Sequence, residues 1–245
     1  MADIDVIGGV DEYWILGDLI AVGAQPIDVL ERLSDLPNTR FVRGNTDRYI
    51  MTGERPPPYP EQVEKELARL PIFADVVSTM AWTQGAVAST GWMPFLDQLP
   101  LEQRLTLPNG TRLLGVHASP GCDGGPGIRP DYPLDEIEQR LTGCNADLVC
   151  VGHTHWPMNL HVGHVHVVNL GSVSNHLVPD LHVWYVLLTA NAEGYHIQHR
   201  RVDYDRKAVI QKLEELRHPS RNYIIRFMRG ERAHSRWQLP HYGEL

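Results

Sequence analysis

No apolar run in the 245-residue chain approaches the roughly 18 residues that would span a bilayer, so a membrane role is not expected. The N-terminus, MADIDVIGGVDEYW, has neither the basic segment nor the short apolar core that opens a secretory signal. Cysteine is scarce: Cys122, Cys144 and Cys150 are scattered, odd in number and without CxxC spacing, which fits a reduced, cytoplasmic protein. Positive charge is in deficit, with 22 Lys+Arg against 30 Asp+Glu and a net charge of −8, which argues against general nucleic-acid binding. There is no internal repeat and no low-complexity segment beyond Pro56–Pro58. The remainder is ordinary for a globular chain, 42% apolar and 21% charged. This length suits one α/β domain, with at most a small appendage, and buries about 70–75% of the unfolded surface without disulfide help. What is abundant is histidine, at 13 residues.

Asp11–Asp18 (DEYWILGD) reads as a buried strand opening into a loop, and Pro26 as the first residue of a helix presenting Val29, Leu30 and Leu33. Arg40–Arg43 forms a second strand stopping at Gly44-Asn45, so the three segments have βαβ spacing. A proline-rich loop, Met51–Pro60, precedes a helical stretch to about Leu99. There Val63, Leu67 and Leu70 share a stripe, and Pro71, Gly85 and Gly91 divide the stretch into short helices. Leu101–Leu107 and Thr111–Val116 pair around Asn109-Gly110. Gly121–Asp131 is a loop, Asp135–Leu141 a short helix and Ala146–Val151 an apolar strand. Strands at His161–Leu170, His182–Thr189 and Tyr195–Val202 and a helix at Arg206–Arg217 complete the pattern. Early alternation and late hairpins predict a mixed sheet, or two packed sheets with helices outside.

Several polar residues follow predicted strand ends: Asp18 after WILG, Asn45 after FVRG, His117 after LLGV, and His153 with His155 after VCVG. Loops beyond the carboxyl ends of strands are where α/β folds bind ligands. If Gly152–His155 stays extended, both imidazoles point to one side, about 6–7 Å apart at the backbone. A carboxylate, an amide oxygen and three imidazoles suit Mn²⁺, Fe or Zn²⁺ better than Ca²⁺. Two such ions about 3.5–4 Å apart can clamp a phosphate and activate a water. Taken singly, each residue has a plainer reading: Asp18 as a turn residue or helix cap, Asn45 as a turn residue, Thr46 and Asp47 as caps of a helix from Arg48, His117 as a core-edge histidine. Their joint recurrence at strand ends favours the metal.

Gly17-Asp18, Gly44-Asn45 with Asp47, Gly115-Val116-His117, Gly152-His153-Thr154-His155 and Asn169-Leu170-Gly171-Ser172-Val173 resemble, in order and spacing, the motifs of the calcineurin-like metallophosphoesterases. The resemblance covers about residues 10 to 200. It implies a four-layer αββα sandwich of two mixed β-sheets with two divalent ions (Mn, Fe, Zn or Ni) at the sheet edge. Asp18 would bridge the ions; Asn45, His117 and His153 would complete one, and His155 would serve the other. Asp18, Asn45, Asp47 and His117 are the implied catalytic group, and Asn45, Thr46 and Gly121 the implied substrate contacts. Residues 1–203 would form the metallophosphoesterase domain and 204–245 a helix and tail docked on it. The implied activity is hydrolysis of phosphate mono- or diesters on a phosphorylated small molecule or a phosphoprotein, with no implied oligomeric state.

Two departures stand out. The family opens with a strand ending in Asp-x-His, and nothing here matches; MADIDVIGGVDEYW resembles the end of the helix after that strand. Asp3 and Asp5 are not expected to substitute. The simplest account is a fold lacking its first strand because the native chain is longer by roughly 20 residues, a strand and its connection. Losing that strand would forfeit about 8–18 kcal/mol of burial, against a typical total stability of about 5–15 kcal/mol. A missing half-site also keeps open a non-catalytic metal-binding regulatory protein, beside a cyclic nucleotide phosphodiesterase. Secondly, Thr46 stands where the commoner motif has a histidine that protonates the leaving oxygen or stabilises charge in the transition state. A threonine hydroxyl is no acid near neutral pH, so good leaving groups should be favoured unless another histidine, such as His176, deputises.

Of the remaining histidines, His161, His164 and His166 read as a strand's solvated face. Trp82, Trp92, Met93 and Phe95 read as core, Cys150 as a buried inert thiol, and RNYIIRFMRGERAHSRW as a docked tail.

Overall fold

The computed structural model describes residues 1–175, 177 and 179–231. A short helix α1 (Ala2–Val6) precedes the βαβ unit that the spacing predicts: β1 (Tyr13–Leu16), α2 (Pro26–Ser34) and β2 (Thr39–Val42), the strands paired in parallel. Helices α3 (Asn45–Thr52), α4 (Pro60–Lys65), α5 (Leu70–Thr90) and α6 (Met93–Asp97) follow. β3 (Glu102–Thr106) and β4 (Arg112–Val116) form the Asn-Gly hairpin, and α7 (Leu134–Leu141) crosses to β5 (Leu148–Val151). Two more hairpins, β6 (Met158–Val162) with β7 (Val165–Asn169) and β8 (Val183–Ala190) with β9 (Tyr195–Val202), lead to α8 (Arg206–Glu215) and α9 (Arg221–Met228).

Side-chain alternation sorts the strands into layers. The main sheet runs β3-β4-β5-β7-β6, with β4, β5 and β7 parallel and antiparallel edges. One face, with Leu114, Val149, Val151 and Val167, packs on Ile137 and Leu141 of α7. The other, with Leu113, Leu148, Cys150 and Val168, packs on Leu16 and Val42 of β1–β2 and on Val186, Leu188 and Ile197 of β8–β9. The far face of β1–β2, Ile15 and Phe41, is covered by Leu30, Ile50, Met80 and Leu96 from α2, α3, α5 and α6. The order is therefore α-β-β-α. One difference from the expectation is that the second β layer is two separate pairs, β1–β2 and β8–β9, rather than one sheet.

Other expectations shift in register. On α2 the inward side chains are Ile27, Leu30 and Leu33, while Val29 is exposed. Of the predicted stripe on 63–70 only Val63 is buried; Leu67 and Leu70 are 74% and 51% exposed. Pro71 starts α5 rather than breaking it, because a first-turn proline has no hydrogen bond to lose, and Gly85 sits within the continuous helix. Trp92, Met93 and Phe95 join the core beside α5. Buried Cys150 has its thiol pushed up to about 12 by desolvation. α9 docks, burying Tyr223, Ile224, Ile225, Phe227 and Met228 against Val76 and Leu213; the rest of the expected tail, from 232, lies outside the described residues. Among the described residues no helix is long and apolar enough to cross a membrane.

The solvated-face reading fails for His166 because β7 is an inner strand and Tyr195 of β9 covers the face on which His166 lies. His166 is buried: its Nε2–H donates to Asn159 Oδ1 (2.5 Å) and its Nδ1 accepts from the Tyr195 hydroxyl (2.9 Å). Burial, with His161 stacked at 4.2 Å and His199 nearby, pushes its pKa from 6.5 down to about 4. Burial likewise lowers His199 and His218. The unfolded chain thus takes up these protons first as pH falls. The contribution of His166 should be full above about pH 6.5 and be lost between there and pH 4, roughly 2–3 kcal/mol. Buried Asp47, raised to about 7, works in the opposite direction over the same range. The urea midpoint of the native chain minus that of His166→Gln should fall as pH drops across this range; parallel curves would refute the assignment.

Candidate metal centre

The strand ends bring the site together. β1, β4 and β5 stop at Leu16, Val116 and Val151, and Asp18, His117 and His153 follow within two residues of each. β2 ends two residues before Gly44, which precedes Asn45, the first residue of α3. The loops meet at two glycines. A Cβ on Gly17 would lie 2.5 Å from Gly44 N and 2.6 Å from His117 Nδ1. A Cβ on Gly44 would lie 2.2 Å from both the amide nitrogen and Oδ1 of Asp18. No side chain fits at either position, so the Gly-Asp and Gly-Asn motifs have a steric reason as well as a chemical one.

Asp18, His153 and His155 hold left-handed backbone conformations, with φ of 55°, 60° and 56°. Asp and His tolerate this region better than most residues, and such strain gathers at functional sites. The Gly152–His155 segment is consequently not extended: Thr154 N donates to the Gly152 carbonyl (2.6 Å), a turn that separates the two imidazoles.

Asp18, His117 and His153 place ligand atoms within 4.8 Å of one another. Their tautomers are fixed from behind. His117 Nδ1–H donates to the Leu16 carbonyl (2.6 Å) and His153 Nε2–H to the Gly125 carbonyl (2.8 Å). A neutral imidazole has one N–H, so His117 Nε2 and His153 Nδ1 face inward as lone pairs. They meet Asn45 Oδ1 at 3.1 and 2.8 Å and each other at 3.3 Å, and Asp18 Oδ2 lies 3.4 Å from His117 Nε2. With both imidazoles neutral, four acceptors point at one another with no donor between them, an arrangement that calls for a cation. Atoms sharing an ion at about 2.0–2.2 Å are themselves roughly 3.0–3.4 Å apart, so this set fits a divalent metal. His155 shows the same orientation from behind, its Nδ1–H on the Asn175 carbonyl (2.8 Å), but lies outside the converging group.

The electrostatics agree. Burial works against the Asp18 charge, yet His117 and the hydrogen bonds from His117 and Thr46 hold its carboxyl well below the usual range. Burial likewise opposes charging His117, but Asp18 outweighs it and raises the imidazole, so without an ion a proton on Nε2 takes the cation's place beside Asp18. Burial and the neighbouring His117 lower His153, and burial lowers His155. The pocket draws positive charge while two of its histidines stay neutral, the protonation state that metal ligation requires.

Three sequence-assigned residues take different places. Asp47 is fully buried and does not face the cluster; its carboxylate accepts the backbone N–H groups of Gly44 (2.8 Å), Asp18 (2.9 Å) and Leu19 (2.9 Å). Burial, then the Asp18 charge, push its pKa up to about 7. It clamps the two motif loops together. Thr46 donates both N–H (2.9 Å) and hydroxyl (2.8 Å) to Asp18 Oδ1, fixing one carboxylate oxygen and leaving Oδ2 toward His117. Gly121 sits at the exposed Ser119–Cys122 turn; Gly124 and Gly125, further along the loop, approach Asn45 and His153. His176 lies outside the described residues. Asp3 binds Arg200 (2.7 Å) and Tyr185 (2.5 Å), far from a ligand role. Sequence reasoning missed the carbonyls of Leu16, Gly125 and Asn175, which carry no side-chain signal. It named Asn169 in a motif but gave it no role; its amide donates to the Gly152 carbonyl (2.8 Å) and Thr154 Oγ1 (2.9 Å).

Residues 2–193 match the model of the calcineurin-like phosphoesterase superfamily domain. The chain is 26% identical over 229 residues to the uncharacterized protein MJ0912 of Methanocaldococcus jannaschii, covering 86% of this chain and 84% of that protein. Its fold is similar to that of hypothetical protein PH1004 from Pyrococcus horikoshii OT3, with a TM-score of 0.75, 20% identity and coverage of 92% and 88%. It is also similar to a metallophosphoesterase from Sphaerobacter thermophilus, with a TM-score of 0.70, 20% identity and coverage of 94% and 92%.

Proposed function

Since the chain belongs to the calcineurin-like phosphoesterase superfamily, we propose that it is a metal-dependent hydrolase of phosphate mono- or diesters. The observation that carries this reading is the set of four inward-facing acceptors on Asp18, Asn45, His117 and His153. A divalent metal bound there supplies a Lewis acid for phosphoryl oxygens and lowers the pKa of water to make a nucleophile. A second ion would share Asp18 with His155, the orientation of whose ring supports that role.

The chain's own residues do the rest. Asp47 holds the Asp18 and Asn45 loops in register, and Thr46 orients Asp18. His117 is 2% exposed, so its lone pair is kept from bulk water. The free cysteines Cys122, Cys144 and Cys150 support a reduced, cytoplasmic setting, and the proposed substrate is a phosphorylated small molecule or a phosphoprotein. The Thr46 hydroxyl is committed to Asp18 and offers no proton to a leaving group. Aryl phosphates and phosphoanhydrides should therefore outpace alkyl monoesters by more than their intrinsic difference. The missing general acid is worth roughly 10²–10⁴-fold.

The test is turnover of p-nitrophenyl phosphate, bis(p-nitrophenyl) phosphate, an alkyl monoester and a cyclic nucleotide in Mn²⁺. Turnover with an aryl preference supports the reading, and a cyclic-nucleotide preference would narrow it. No turnover with any divalent ion overturns it. One observation favours a second reading, a metal-binding protein without turnover: among the described residues a single group converges to hold an ion.

A further inference from the structure

The Gly-rich loop after His117 carries a buried carboxylate that the chemistry above does not use. Asp123 is 6% exposed, and its Oδ2 accepts from Arg43 Nε (2.9 Å) while its oxygens accept from Arg48 Nε (3.1 and 3.2 Å). These arginines stand two residues before and three residues after Asn45. Arg48 also pairs with Glu54 beyond the end of α3. Five residues on from Asp123, the Ile128 carbonyl accepts from Thr154 Oγ1 (3.3 Å), next to His153. The loop is thus pinned at one end to the segment carrying Asn45 and at the other to the segment carrying His153. Between the pins the Gly125 carbonyl receives His153 Nε2–H (2.8 Å), and Gly124 passes beside Asn45 and Arg48.

We infer that Asp123 is a positioning residue for the metal centre: gripped by Arg43 and Arg48, it seats the loop so that the Gly125 carbonyl fixes the ring of His153. A buried carboxylate is tolerated only while paired, and bonds to two guanidinium groups are of the stronger, charge-assisted kind. Without the grip the loop keeps only its Ile128 end, buried in the core, and the segment carrying Gly125 is free to shift. His153 then loses the acceptor that holds its proton on Nε2 and its lone pair inward on Nδ1. Asp123 acts through Gly125 and His153 and touches no reacting atom. The inference rests on the metal-centre reading but not on turnover.

The experiment reads the imidazole tautomer of His153 by long-range ¹⁵N–¹H correlation in the metal-free protein, assigned by difference against His153→Gln. Mn²⁺ affinity is measured by calorimetry in parallel. The native chain should show the Nε2–H form. Asp123→Ala should give mixed tautomers and weaken Mn²⁺ binding about 10–100-fold, the usual cost of losing a group that orients a ligand. Asp123→Asn, which keeps the shape and one acceptor, should fall between. Arg43→Gln and Arg48→Gln each leave Asp123 one partner and should have smaller effects, approaching Asp123→Ala when combined. They keep the test decisive if Asp123→Ala does not fold. A lowered melting temperature with unchanged tautomer and unchanged Mn²⁺ affinity in these variants would overturn the inference. If the native chain binds no Mn²⁺, the metal reading fails while the tautomer comparison still decides the role of Asp123.

Discussion

Asp18→Asn is expected to reduce phosphoester turnover about a thousandfold or more while leaving the metal-free protein as stable as the native chain. The two effects separate because the carboxylate has two sides. Asn retains an oxygen that can accept the N–H and hydroxyl of Thr46, so the local hydrogen bonds survive. What disappears is the negative charge beside His117, at 3.4 Å, the only anionic member of the converging group. Removing it also relieves the repulsion that helps push Asp47 upward. Groups that stabilise transition-state charge are individually worth roughly 10²–10³-fold, and a ligand that holds the metal should exceed that. Melting curves of the two proteins should coincide without metal and diverge with Mn²⁺, because an ion at about 100 times its dissociation constant stabilises by about 2.7 kcal/mol. Equal turnover, or equal stabilisation by Mn²⁺, would remove Asp18 from the centre.

Gly44→Ala should be strongly destabilising. Its Cβ would stand 2.2 Å from both Asp18 N and Asp18 Oδ1, and backbone cannot move aside as a flexible side chain can. Either the α3 start retreats, breaking the Asp47 bonds to Gly44, Asp18 and Leu19, or the Asp18 loop does. Overpacking usually costs about 1–3 kcal/mol, and losing a buried hydrogen-bonded clamp adds to that, so about 3–5 kcal/mol is expected. For a chain of this size that is a fall of roughly 6–20 °C in melting temperature. Gly85→Ala is the control, since nothing lies within 4 Å of that position on α5 and alanine favours helix. A Gly44→Ala protein melting within about 2 °C of the native chain would show that the loops do not meet as described.

The candidate metal centre was legible in the sequence to the extent that side chains write it. Asp18, Asn45, His117 and His153 each follow a strand end, and the structure converges them. The layer order came from the resemblance. The residue pattern left a mixed sheet or two packed sheets open, because β4 and β5 are apolar on both faces, with Leu113 and Leu114 pointing opposite ways. The supporting geometry was not legible. Asp47 and Thr46 look like cluster residues by spacing, and only the backbone turn at Asn45 shows that one clamps amides and the other grips Asp18. The orienting carbonyls of Leu16, Gly125 and Asn175 belong to the main chain, which every sequence possesses. The place of His155 came from the resemblance; the expectation that an extended segment would point both imidazoles to one side fails because two left-handed residues in three turn the chain. Leu67 and Leu70 misled because apolar spacing marks a face without saying what covers it.

The most direct test of the central claim is metal content after equilibration with Mn²⁺, by elemental analysis of the native chain beside His117→Ala. The expected result is at least one tightly held ion per native chain, with a second if His155 completes the other position, and loss of the ion from His117→Ala. A native chain that emerges metal-free, or a variant that retains as much Mn²⁺, would contradict it.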